Sequence, residues 1–107
     1  MANWLDTPGK TVPGNTGVEP AAMRPLGYQQ ITSLSSATAL TVPVGALVAL
    51  IQAETQNVRW RDDGTNPTAS VGMTIGVGST LPYTGDLSAI KFIQATASAT
   101  LNISYYG

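Results

Sequence analysis

Between Val58 and Pro67 the chain reads VRWRDDGTNP, and Arg59, Arg61, Asp62 and Asp63 are four of the eleven charged side chains in 107 residues. Two carboxylates beside two guanidinium groups could in principle work as an acid and a base, hold a cation, or bind an anion. Asp62 and Asp63 are adjacent, so their side chains diverge and cannot flank one glycosidic bond as acid and nucleophile. Asp86 could join them only through folding. The spacing also lacks the alternating Asp/Asn pattern and the closing Glu of a calcium loop. With no His and no Cys anywhere, the usual tunable base and the thiolate nucleophile or metal ligand are missing. GMTIGVG, from Gly72, follows no phosphate-loop pattern. The sequence predicts a protein that is not an enzyme and carries neither metal nor cofactor.

The alternative use of the cluster is structural. A strand over residues 57–62 places Arg59 and Arg61 on one face and Val58, Trp60 and Asp62 on the other. Asp63-Gly64 then turns the chain, and Asn66 is held out of the helical region by Pro67. ASVGMTIG, residues 69–76, is expected to pair back on the first strand. In this reading Trp60 fills core, Asp63 and Asn66 hold the turn, and the arginines meet nearby carboxylates or an acidic patch on another subunit.

The aromatic residues Trp4, Tyr28, Trp60, Tyr83, Tyr105 and Tyr106 invite a second chemistry, the stacking of sugar rings. Trp60 and Tyr105 fall on apolar faces and are expected inside. Tyr83, within LPYTGD, and Tyr106 are the expected surface aromatics. Trp4 and Leu5 form an apolar pair with no local core to join, which suits an anchor on a neighbouring molecule.

These residues must be positioned by a single small domain. Charged residues are 10% of the chain, against about 25% in an ordinary soluble domain, while Ser and Thr fill 22 positions. The surface is therefore expected to be hydroxyl and amide, or covered by partners. A net charge of −1 supplies no phosphate-neutralising field, which argues against nucleic acid as a partner. The longest apolar run, VGALVALI, is far short of the ~20 residues a membrane-crossing helix needs, and the start resembles no secretory signal. Synthesis in a cytoplasm and no membrane partner are the expectations.

Residues 1–27 hold four of the seven prolines and four of the eleven glycines without apolar periodicity, and are expected to be an extended arm ordered against a partner. From Tyr28 to Gly107 short runs of Val, Ile, Thr and Tyr alternate with turn residues. They predict strands at 28–33, 37–42, 46–54, 57–62, 69–76, 80–84, 89–95 and 99–106. About eight short strands without helices predict an all-β, jelly-roll-like sandwich over 28–107. The ALVALIQAE run suits a central strand, and TLNISYY puts Leu101, Ile103 and Tyr105 on one face.

VRWRDDGTNPTASVGM together with YTGDLSAIKFIQATASATLNISYY resembles a group of small virion structural proteins encoded by tailed bacteriophages and prophages. The resemblance covers residues 28–107. It implies a capsid decoration, or cement, protein on the virion surface, forming a homotrimer and bound to a major capsid protein. Trp4, Leu5, Arg59, Arg61, Asp62, Asp63, Tyr83 and Tyr106 are the interface candidates that the residues themselves suggest. A carbohydrate- or receptor-binding module of a tail or fibre, and another head or neck component, are the rival expectations.

Overall fold

The computed structural model describes residues 22–107, and the expectations for Trp4, Leu5 and the first 21 residues of the arm lie outside them. Eight strands follow in order: β1 Pro25–Ile31, β2 Thr38–Ala39, β3 Val48–Glu54, β4 Val58–Arg61, β5 Met73–Ile75, β6 Thr80–Tyr83, β7 Lys91–Gln94 and β8 Thr100–Tyr106. They form two antiparallel sheets of four, in the orders β1-β8-β3-β6 and β2-β7-β4-β5. The chain changes sheet at every connection except β4–β5, which is the wrapped connectivity of a jelly roll. The all-β sandwich expected from the sequence is the fold observed.

Alternation decides which side of each strand is buried. In β8, Leu101, Ile103 and Tyr105 are buried while Asn102, Ser104 and Tyr106 are half-buried on the outer side. β3 lies between β8 and β6, as its apolar run predicts, with Ala49, Ile51 and Ala53 inward. Val58, Ile75 and Phe92 answer from the second sheet, and Leu34, Leu87 and Ile90 close the core from the connections. Fully burying side chains of this size contributes about 1.5–3 kcal/mol each.

β1 begins at Pro25, so residues 25–27 belong to the sandwich and not to the arm. Proline is admissible because it opens an edge strand, and the register shift between Pro25 and Gly27 is a bulge that glycine accommodates. Just before it, Arg24 and Gly107 exchange backbone hydrogen bonds of 2.8 and 3.0 Å. The other edges are blunted: β2 has two residues, β5 has three, and β6 carries Pro82. Register places residues 22–24, Gly107 and the β2–β3, β4–β5 and β6–β7 connections at one end of the sandwich.

Candidate functional site: the end beside residues 22–24

The charged cluster occupies β4 and the one connection that stays within a sheet. β4 pairs with β5 through Val58↔Ile75, Arg59↔Thr74 and Trp60↔Met73, so the expected hairpin forms. Both arginines are spent within it. Arg61 holds the Asp63 carboxylate with two hydrogen bonds, one of 3.0 Å from Nε to Oδ1. That guanidinium is the main reason the Asp63 carboxyl sits below its ordinary pKa, with the Thr65 N–H adding a weaker bond. Arg59 departs from the expectation of a carboxylate partner. Its Nε donates to the Ala69 carbonyl at 3.1 Å and its Nη1 to the Gly72 carbonyl at 2.8 Å, drawing the far side of the loop onto β4.

Trp60 is half-buried, packed against the core and not wholly inside it. Its ring meets Tyr83 edge to face, with centroids 5.9 Å apart and planes at 69°. Tyr83 is 7% exposed, which corrects its assignment to the surface. As Tyr83 pairs with Ala49 on β3, its side chain shares the inward face with Ala49 and Leu81. The Tyr83 hydroxyl donates to Asp62 Oδ2 at 2.7 Å and lies 3.4 Å from the Asp86 carbonyl. Burial, then the Asp62 carboxylate, pushes the phenol up to about 12. Asp86 accepts from the Ser88 hydroxyl and N–H at 2.6 and 2.9 Å, bonds that hold its carboxyl below the usual range.

Asp62, Asp63 and Asp86 are thus engaged separately, by Tyr83, Arg61 and Ser88, and do not converge on one point. The arrangement ties the β4–β5 connection to the β6–β7 connection. Chemically it can present charge and shape to a neighbour.

Tyr106 is half-buried on the outer face of its sheet, where its hydroxyl accepts from Ser104 Oγ at 3.3 Å. Sequence reasoning missed a second group at this end. Val44 is 99% exposed, Leu47 63% and Met23 46%. Val44 tops the Pro43–Ala46 turn, closed by the Ala46 N–H on the Pro43 carbonyl at 3.2 Å, and the Leu47 N–H donates to the Tyr106 carbonyl beside it. The PVGA turn signal could have located this tip; the alternation of the neighbouring strand hid it.

The fold and this end together define a small β-sandwich with an exposed apolar rim beside residues 22–24. Comparison with known proteins yields no matching family, no matching curated protein and no matching solved structure.

Proposed function

We propose that the chain is a bacteriophage capsid decoration protein: a homotrimer that sits on the virion surface, binds the major capsid protein and stabilises the shell. The observation that carries the reading is the cluster of Met23, Val44 and Leu47 in water at the end where residues 1–21 join the sandwich. Exposed apolar groups gathered in one place favour a protein partner. Transferring a Val and a Leu out of water stabilises a contact by roughly 1.5–3 kcal/mol each. The arm, with Trp4 and Leu5, adds to the same contact across neighbouring capsid subunits. Repetition around the shell multiplies a modest affinity. The resemblance of residues 28–107 to phage head proteins supplies the partner.

Cosedimentation of the full chain with undecorated capsids tests this. Saturable binding at high copy number is expected, weakened by Val44→Asp with Leu47→Asp and by deletion of residues 2–21, with both variants still folded. Low copy number would assign the chain to a neck or joint. Undiminished binding by both variants would refute the proposed contact, and a monomer at high concentration, alone and with capsids, would refute the trimer.

A further inference from the structure

A different surface carries chemistry that the end beside residues 22–24 does not use. The outer face of the β1-β8-β3-β6 sheet is ruled by register into rows: Tyr28, Ser104, Leu50 and Pro82 in one, Gln30, Asn102, Gln52 and Thr80 in the next. Among all the residues of these four strands the one charged side chain is Glu54. The cations Arg59, Arg61 and Lys91 stand on the outer face of the other sheet, opposite to the buried Val58 and Phe92.

On the neutral face the polar groups are tied into one array. The Tyr28 hydroxyl donates to Asn102 Oδ1 at 2.7 Å and Gln30 Nε2 donates to the same oxygen at 2.9 Å. Asn102 Nδ2 in turn donates to Glu54 Oε1 at 2.9 Å. Tyr28 pairs with Ser104, two residues from Asn102, so the bond to Asn102 lays the ring along the sheet. Tyr28 remains 64% exposed. An exposed aromatic ring tethered beside amide groups and one carboxylate offers a surface for sugar C–H groups next to donors and acceptors for vicinal hydroxyls.

We propose that this face, centred on Tyr28 and Asn102 with Gln30, Gln52 and Glu54 around them, binds a neutral glycan. The ligand is neutral because Glu54 repels a sialylated or uronate-bearing chain and no cation of these strands offsets it. The ring is held before binding, so little side-chain ordering opposes the contact. An open sheet face binds one sugar segment weakly, and a multivalent display raises the avidity. The inference goes beyond capsid decoration and holds wherever the chain resides.

The test uses the biotinylated full chain clustered on streptavidin, read on an array of neutral glucan, mannan, galactan and chitin oligosaccharides beside sialylated and uronate-bearing ones. Retention of at least one neutral class is expected, with Tyr28→Ala and Asn102→Ala each lowering affinity by about tenfold, a loss worth about 1.4 kcal/mol. Tyr28→Phe, which keeps the ring and loses its tether, falls between. Thr74→Ala on β5 of the other sheet leaves binding unchanged. All three positions are exposed or half-buried, and thermal melts verify that the variants fold. The proposal is overturned by retention of no neutral glycan, by preference for the anionic ones, or by binding that survives Tyr28→Ala. It is equally overturned if Tyr28→Ala dissociates an oligomer and leaves glycan retention intact, since the face would then be an interface between copies.

Discussion

The Tyr83 hydroxyl reaches across the end of the sandwich to the Asp62 carboxylate, 2.7 Å away, while its ring meets Trp60 edge to face. Tyr83 ends β6 in one sheet and Trp60 lies in β4 of the other. This pair therefore ties the sheets together where the charged hairpin begins. The stacking contributes about 0.5–1.5 kcal/mol beyond area burial, and a hydrogen bond to a charged group about 1.5–3 kcal/mol. Asp62 is exposed and regains water when released, which keeps the loss at the low end.

Tyr83→Phe is accordingly expected to retain the fold and the ring contact and to lose about 1–2 kcal/mol of unfolding free energy. Alkaline titration gives an independent reading. Tyr83 and Tyr105 are both pushed up to about 12 from the ordinary 10, chiefly by burial. Each phenol keeps its proton in the folded state after the unfolded chain has lost it. Their contribution is present in full below pH 10 and is lost as pH rises from 10 to about 12, at most about 1.4 kcal/mol per pH unit for each. Urea unfolding at stepped pH checks this, and Tyr83→Phe should flatten the decline.

All eight strands were legible along the chain because turn residues punctuate it and apolar residues alternate between them. What alternation could not supply was contact between strands distant in sequence. Tyr83 was expected on the surface because the LPYTGD composition suggests a turn, yet Leu81 and Tyr83 share the inward face of an edge strand whose Pro82 points out. The apolar run of β3 marked a central strand correctly, but only one side is covered, and Leu50 remains 40% exposed. The sequence left open whether Arg61 pairs within the chain or across an interface, and the folded hairpin pairs it with Asp63. The grip of Arg59 on the Ala69 and Gly72 carbonyls depends on how the loop closes, which no local pattern records. Similarly, the Tyr28–Asn102 array exists only through the β1–β8 register.

The Arg61–Asp63 pair is exposed, so its effect belongs in a titration and not in the melting temperature. The folded Asp63 carboxyl lies below its ordinary value because Arg61 bonds the ionised form. The resulting small stabilisation is present above the ordinary carboxyl range and fades as pH falls through the depressed value. Carboxyl NMR titration of Arg61→Ala should show the Asp63 midpoint rising toward that of an ordinary aspartate. Added salt should move the wild-type midpoint the same way.

The closure of the hairpin loop depends on Gly72. Its φ is +145°, and a Cβ there would stand 3.1 Å from the Trp60 carbonyl oxygen and 3.3 Å from the side chains of Arg59 and Pro67. Gly64, with φ +87°, has open space around it. Gly64→Ala should cost about 1 kcal/mol from backbone strain alone. Gly72→Ala should cost more, roughly 2–3 kcal/mol, because strain and collision add. Parallel denaturation curves for the two variants measure the difference, and equal losses would show that the close approach to β4 has no energetic weight.

At the other side of the same end, Gln29 decides whether β1 stays fastened to the β2–β3 connection. Its Oε1 accepts from the Tyr105 hydroxyl at 2.7 Å and from the Thr41 N–H at 3.1 Å, and its Nε2 donates to Thr41 Oγ1 at 3.3 Å. Tyr105 is 1% exposed, so removing its acceptor strands a hydroxyl away from water, whereas removing the hydroxyl leaves Gln29 bonded to Thr41. Tyr105→Phe should therefore cost about 1 kcal/mol and Gln29→Ala about 2–3 kcal/mol, the asymmetry expected of buried polar pairs. Hydrogen exchange adds a spatial check. Gln29→Ala should also loosen the Thr41 amide, which the side chain holds directly, while Tyr105→Phe should leave that amide protected. Equal costs with equal protection at Thr41 would mean that Gln29 does not fasten the two segments.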